Sequence, residues 1–363
     1  MDQIHVSAYT VPTSSPEADG TFAWDQTTIV IVEARCLDVK GLGYTYADVA
    51  TAALIEHGLK ARVLGRDVMS PQGAWLEMIR CVRNLGRPGI ASMAISAVDS
   101  ALWDLKARLL NQPLVTLLGA VRDRIMIYAS GGFTSYTDAQ LREQLGGWAR
   151  NGIRAVKMKI GMHPEDDVRR VAAARDVIGD GVELFVDANG AYSRKQALAF
   201  AAEFADLGVS WFEEPVSSDD LEGLRLVRDH GPLGMDIAAG EYGYDVFYFR
   251  RMLEAGAVDV LQADGTRCGG VTGFMKAAEV CDSFGLPLSA HTAPSLHGHL
   301  CCAAARARHV EYFHDHVRIE QMFFDGALKA VAGDLRPDLS RHGLGLDFKR
   351  ADALQYQVYG GQS

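Results

Sequence analysis

Between Ala155 and Glu311 the chain repeats a short apolar run that stops on ionisable residues. The runs are Ala-Val-Lys157-Met-Lys159, Leu-Phe-Val-Asp187-Ala-Asn189, Trp-Phe-Glu213-Glu214-Pro and Ala-Ala-Gly-Glu241, then Val-Leu-Gln-Ala-Asp264, Leu-Ser-Ala-His291 and His-Val-Glu311-Tyr-Phe. From Lys159 to Asp187 is 28 residues, and the next steps, to Glu213, Glu241, Asp264, His291 and Glu311, are 26, 28, 23, 27 and 20. One strand and one helix need about that length. Ile125–Gly132 reads as an earlier strand with its loop, and Thr137–Asn151, Pro164–Ile178, Ser193–Leu207 and Gly270–Phe284 have the apolar spacing of helices. Seven or eight such units in about 200 residues predict an α/β fold with a closed parallel barrel, its charged groups meeting at the C-terminal mouth.

The flanks have a different rhythm. Thr28–Glu33 has strand composition and Gly41–Tyr46 sets turn glycines beside aromatics, so residues 1–60 predict a small antiparallel sheet. The intervening Thr13-Ser-Ser-Pro-Glu-Ala-Asp-Gly20 reads as an exposed hairpin loop, or functionally as a lid over a site elsewhere. Residues 47–118 read as helices, and Ile90–Leu110 is rich in small side chains that allow another helix to approach closely. Its Asp99 and Asp104 are expected to be caps or solvated positions. Beyond Phe324 the chain is mixed and glycine-rich, consistent with a tail returning to the N-terminal part.

Composition narrows the partners. Of 363 residues, 36 are Lys or Arg and 46 are Asp or Glu, a net charge of −10 with no basic block. Nucleic acid and anionic membrane are therefore not expected partners. The N-terminal Met-Asp-Gln-Ile-His has no basic leader or apolar core, and no run reaches the roughly 20 apolar residues of a membrane span. The six cysteines lack paired spacing apart from Cys301-Cys302, which suits free thiols and a cytoplasmic location.

Asp187, Glu213 and Glu241 would end three successive strands, and three acids at one mouth repel unless protons or a cation compensate. An all-oxygen set favours a hard divalent ion, Mg²⁺ first. Glu213 and Glu214 point to opposite sides of their strand, and periodicity alone does not choose between them. Asn189 shares a face with Asp187 and is a candidate either to support the metal ligands or to contact substrate. Lys157 and Lys159 also share a face, and their mutual repulsion beside a metal is expected to lower the pKa of at least one towards that of a general base. Asp264 and His291 end adjacent strands, where the carboxylate can orient the imidazole and raise its basicity. His297, His299, His314 and His316 are read as structural. Glu311 is a further mouth acid, able to bond a substrate carboxylate if protonated, with Glu320 a rival for that place. A metal flanked by a lysine and a histidine base suits removal of a proton α to a carboxylate from either face.

The ordered set Lys-x-Lys, Asp-x-Asn, Glu-Glu-Pro, Gly-Glu, Asp-x-x-x-x-Gly-Gly and Ser-x-His resembles the mandelate racemase-like subgroup of the enolase superfamily, which pairs a Lys or His base with Mg²⁺. The resemblance implies a (β/α)₇β barrel over residues 123–322, capped by an α+β domain of residues 1–122 to which 323–363 returns. It implies Asp187, Glu213 and Glu241 as Mg²⁺ ligands and Lys159 as one base with Lys157 beside it. His291 is then the other base, paired with Asp264, and Glu311 lies near the substrate carboxylate. The implied reaction is dehydration of an acid sugar to a 2-keto-3-deoxy acid through a metal-stabilised enolate. Racemisation or epimerisation of a 2-hydroxy acid and cycloisomerisation of a sugar-acid lactone are the alternatives. A remoter one is a non-catalytic barrel used for binding. The small-molecule carboxylate would be read by the lid around Thr13–Trp24, with Trp24 itself a contact, and by loops near Gly131, Phe133 and Tyr242. Arg267 is a candidate for a distal carboxylate of a diacid, or an ordinary ion pair. The subgroup is usually homo-oligomeric.

Overall fold

The computed structural model describes residues 1–360, so the last three residues of the expected 323–363 segment lie outside the described residues. Three long antiparallel strands, β1 (Gln3–Ala18), β2 (Ala23–Cys36) and β3 (Val39–Tyr46), form the N-terminal sheet, and Gln357–Tyr359 adds to the free edge of β1. Alternation along these strands gives the sheet two apolar faces. Val6, Ala8, Val30 and Val32 pack on the helices of residues 49–109, while Tyr9, Val11, Ile29 and Ile31 join the core that continues into the barrel.

The small residues of helix Ile90–Leu109 account for its close seat on β3. A Cβ placed on Gly43 would lie 2.1 Å from the Ala97 carbonyl oxygen, and one on Gly41 2.3 Å from that of Ala101. Backbone on both sides leaves nothing to move aside. Gly43→Ala is therefore expected to lower stability by about 1–3 kcal/mol, read as a lower urea midpoint at unchanged m-value. The same packing revises the expectation for Asp99 and Asp104: neither is solvated or caps its own helix, and Asp99 instead caps the first turn of helix Gly270–Ser283. Both are fully buried. Asp99 accepts from Thr272 N (2.8 Å) and Thr272 Oγ1 (2.7 Å), and Asp104 accepts from Leu42 N (2.7 Å) and Leu344 N (2.5 Å) while pairing with Arg108 (2.8 Å). Each carboxylate thus satisfies backbone groups of segments brought together from distant parts of the chain.

Eight parallel strands close the barrel: β4 (Ile125–Gly131), β5 (Ala155–Lys159), β6 (Glu183–Asp187), β7 (Val209–Glu213), β8 (Asp236–Ala239), β9 (Val260–Ala263), β10 (Leu288–Ala290) and β11 (Ala307–Phe313). The last pairs with the first, β11 with β4. Local signals start the helices between them. Thr137 with Gln140 and Ser193 with Gln196 form capping boxes, and Pro164 occupies the first turn of its helix. Inside the barrel Tyr128, Phe185 and Trp211 form an aromatic floor, with Lys157 level with Phe185 and Glu311 level with Tyr128. The helix after β11, His314–Phe323, lies against the N-terminal sheet: Thr27 Oγ1 donates to Asp315 (2.5 Å), Arg318 to the Pro12 carbonyl (2.7 Å) and Tyr44 Oη to Glu320 (2.6 Å). No described helix is long and apolar enough to cross a membrane.

Candidate active site

Register builds the site. Lys159 on β5 lies level with Asp187 on β6, and Asp187 with Glu213 on β7, so three charged side chains share one tier above the aromatic floor. Glu241 follows β8 by two residues and completes the group. Oxygens of Asp187, Glu213 and Glu241 lie within 4.8 Å of one another and all three residues are buried. Each carboxylate is held from outside the cluster: Asn189 N donates to Asp187 Oδ1 (2.9 Å), Trp211 Nε1 to Glu213 Oε2 (2.9 Å), and Arg267 Nη1 stands 3.4 Å from Glu241 Oε1. Glu241 Oε2 is buried without a hydrogen-bond partner, although His291 Nε2 stands 3.3 Å away. Three buried acids, one with an orphaned oxygen, form an all-oxygen donor set suited to Mg²⁺. Glu214, buried but outside this set, leaves the strand at φ 40°.

Lys157 and Lys159 share the inner face of β5. Lys157 pairs with Glu213, with Glu311 (2.9 Å) and with Asp187 (3.2 Å), while Lys159 contacts Asp187 (2.5 Å) and Asn189 Oδ1 (3.1 Å). Burial pushes both ammonium groups down, but the surrounding carboxylates outweigh it and both are raised. A divalent ion on the same carboxylates would remove that opposing charge. Burial pushes Glu311 up, yet Lys157 and the cations near it hold it below the usual carboxylate range. In its ionised form it accepts hydrogen bonds, and the bond to a substrate carboxylate is open to it only if protonated. Its Oε2 accepts from Thr292 N at 3.2 Å.

On the opposite side, Asp264 and His291 lie one residue beyond β9 and β10. His291 Nδ1 and Asp264 Oδ2 are 2.8 Å apart, and Asp264 Oδ1 accepts from Thr266 N (2.6 Å) and Thr266 Oγ1 (2.7 Å). Asp264 is held low despite burial because it bonds to His291 and faces a cationic neighbourhood. With Nδ1 turned to the carboxylate, Nε2 is the nitrogen free to exchange a proton in the cavity. Backbone strain collects around this tier. Asn189, Glu214, Thr292 and Ala293 all have φ between 40° and 51°, beyond the ends of β6, β7 and β10. Non-glycine residues in that region cost of order 1–3 kcal/mol each and persist where the surroundings hold a functional geometry.

These groups line a cavity of about 220 Å³. Lys159, Asn189, Glu241, His291 and Glu311 enclose its inner end, and Trp24, Arg267, Tyr242 and Phe313 are also in its wall. A cleft of about 540 Å³ between Lys40, Arg108, Arg341 and Asp347 is larger, but its arginines are already paired with Asp104, Asp325 and Asp347. The segment expected as an exposed loop is instead strand extended over the mouth and docked there. A Cβ on Gly20 would lie 2.3 Å from the Ala188 carbonyl oxygen and 2.6 Å from that of Ile160, and Thr134 N and Oγ1 donate to Ala18 O (2.9 Å) and Asp19 O (2.7 Å). Beneath it, Trp24 Nε1 donates to Glu17, whose carboxyl burial pushes up to about 8.

The structure separates the remaining candidates. Glu320 does not line the cavity; it accepts from Tyr44 and from Ser295 N (3.0 Å). His297 accepts from Gly265 N (2.8 Å) and faces the Thr292 carbonyl, and His299 accepts from Val115 N (3.3 Å), both structural uses. His314 stands 3.3 Å from Ser14 Oγ. His316, read as structural, lines the cavity and stacks on Tyr46 with ring centroids 3.4 Å apart. Asp19, Thr27 and Thr292 also line it and were not singled out by the sequence pattern. Thr292 carried a signal in its place beside His291 and Asp19 in its place within the lid segment, whereas His316 reaches the cavity through tertiary packing.

A model of the mandelate racemase/muconate lactonizing enzyme N-terminal domain matches residues 4–119, and one of the enolase C-terminal domain-like fold matches residues 140–353. The chain belongs to the mandelate racemase/muconate lactonizing enzyme family of the enolase superfamily. It is 53% identical to a solved mandelate racemase/muconate lactonizing enzyme-like protein from Rubrobacter xylanophilus, with a TM-score of 0.96 over 98% of this chain and 99% of the other. It is 31% identical to a 3,6-anhydro-alpha-L-galactonate cycloisomerase of Streptomyces coelicolor over 98% of this chain and 99% of that protein. L-talarate/galactarate dehydratase of Salmonella typhimurium is 32% identical over 79% of this chain and 73% of its own. The structure of that dehydratase with Mg and L-lyxarohydroxamate aligns at a TM-score of 0.87 and 28% identity, covering 99% and 94% of the two chains.

Proposed function

We propose that this chain is a Mg²⁺-dependent lyase that removes the proton α to the carboxylate of an acid sugar and expels the β-hydroxyl as water, leaving a 2-keto-3-deoxy acid. The observation that carries the reading is the placement of Lys159 and the His291–Asp264 pair on either side of the Asp187–Glu213–Glu241 cluster, around one small polar cavity. Asp187, Glu213 and Glu241 would hold Mg²⁺, which would supply a Lewis-acid charge for the substrate carboxylate and the adjacent C–H. Lys159 takes the α proton and Lys157 holds the carboxylates beside it in place. His291 Nε2 gives a proton to the departing hydroxyl, with Asp264 fixing its tautomer. Glu311 anchors Lys157 and the strained turn at Thr292, and the docked lid limits water at the reacting carbon.

Cycloisomerisation of a sugar-acid lactone is the second reading, favoured by the S. coelicolor cycloisomerase that matches this chain end to end. A racemase or epimerase would use the same two bases. The division that goes with the proposal is a cap of residues 1–122, a barrel of 123–322 and a segment 323–363 that returns to the cap. The pairing of Gln357–Tyr359 with β1 supports that return. The enzyme is further proposed to be a cytoplasmic homo-oligomer.

The test is a screen of the purified protein with Mg²⁺ against mono- and diacid sugars, with semicarbazide to trap 2-keto products. A hit is expected among them. No 2-keto product, together with lactone opening seen by NMR, would replace the dehydratase reading with the cycloisomerase one.

A further inference from the structure

The charges around the cavity constrain the far end of the substrate. Four lining residues are basic: Lys159, Arg267, His291 and His316. Lys159 and His291 belong to the reacting end. Arg267 is engaged, with Nη1 3.2 Å from the Glu241 carbonyl and 3.4 Å from Glu241 Oε1, Nε 3.6 Å from Asp264 Oδ2, and its guanidinium 5.5 Å from the Tyr242 ring centroid. Two carboxylates already face its charge. His316 lies flat on Tyr46, and its Nδ1 is buried with no hydrogen-bond partner. Burial pushes that imidazole well below its ordinary range, so it meets the cavity as a neutral ring.

The lid adds an acid. Asp19 Oδ1 accepts from Thr21 N (2.6 Å), Thr21 Oγ1 (3.2 Å) and Phe22 N (2.7 Å), while Oδ2 has no protein partner among the described residues. The neighbouring Gly20 seats this turn on two barrel carbonyls, so Asp19 has a fixed place in the cavity wall. Thr27 adds a hydroxyl oxygen nearby that can accept, its proton being given to Asp315. A carboxylate, a neutral imidazole and a hydroxyl form a surface for sugar hydroxyls, and the carboxylate repels a second acid group.

We infer that the substrate is a monoacid sugar with a neutral hydroxylated end, and that Asp19 is the residue that selects it against the corresponding diacid. The inference rests on the acid-sugar reading above and names the class within it. One atom of Asp19 holds the turn and the other accepts from a distal hydroxyl, while the neutral His316 ring lines the wall beside it. Arg267 then has a positioning role between Glu241 and Asp264.

The experiment compares aldonates with aldarates of matching configuration, using the full chain with Mg²⁺. It reads keto-acid formation, α-proton exchange in D₂O, and binding by calorimetry. A like-charge contact in a closed site is expected to favour the monoacid by at least about a hundredfold in kcat/KM, and binding should show the same preference. Asp19→Asn keeps the acceptor for Thr21 and Phe22 and removes the charge, so it should cut that preference at least about tenfold. Equal or better use of diacids, or an unaltered preference in a folded Asp19→Asn protein, overturns the inference and leaves the acid-sugar reading standing. If neither class binds, exchanges or reacts, the acid-sugar reading itself falls and the inference with it.

Discussion

Lys159→Ala and His291→Asn should each lower turnover of the cognate acid sugar by about 10²–10⁴-fold, the span associated with loss of a positioned proton-transfer group. Both proteins should still bind Mg²⁺. Neither residue belongs to the carboxylate cluster, and removing Lys159 takes a positive charge from beside Asp187, to which it is bonded at 2.5 Å. Metal affinity should therefore hold or rise in that variant. The variants should differ in D₂O. If Lys159 acts first, His291→Asn still exchanges the α proton although no product leaves, and Lys159→Ala does neither. Exchange in the reverse pattern would make His291 the first base. Full turnover in both variants would remove the proposed mechanism.

The barrel was legible because its chemistry is periodic. Each apolar run ends on a charged residue at nearly constant spacing, and adjacent parallel strands turn that spacing into lateral register, placing Lys159, Asp187 and Glu213 on one level. The Asp264–His291 pair follows from the same arithmetic. The remainder depended on packing that has no period. Asp99 and Asp104 sit in a helix where solvated acids are ordinary, and their burial follows from glycines of other segments against which that helix closes. The lid has the composition of a loop, but its position is set by Gly20 meeting backbone more than a hundred residues away. His316 reaches the cavity because its helix is tied to the N-terminal sheet through Asp315, Arg318 and Glu320. The ionisation of Glu311 and the lysines was also hidden, since it depends on how many opposite charges surround each group once buried.

Glu213→Gln and Glu214→Gln, compared side by side, should separate metal ligation from burial at two adjacent acids. Glu213 belongs to the cluster and contacts Lys157, whereas Glu214 turns away at φ 40° and has a buried oxygen without a partner. Amide for carboxylate at Glu213 keeps the shape and the acceptor for Trp211 Nε1 while removing one of three charges from the site. Mg²⁺ affinity, measured by calorimetry, should fall at least as far as the 10–100-fold associated with losing a supporting partner of a ligand. Turnover should fall in parallel at low Mg²⁺ and recover in part as Mg²⁺ is raised. Folding should survive, because Lys157 retains Glu311 at 2.9 Å and Asp187 at 3.2 Å. Glu214→Gln changes a residue outside the cluster, so its metal affinity should change by less than about threefold. The opposite ranking, with Glu214→Gln losing the metal and Glu213→Gln keeping it, would move the ligand role to the neighbouring residue and reverse the inward face assigned to the end of β7.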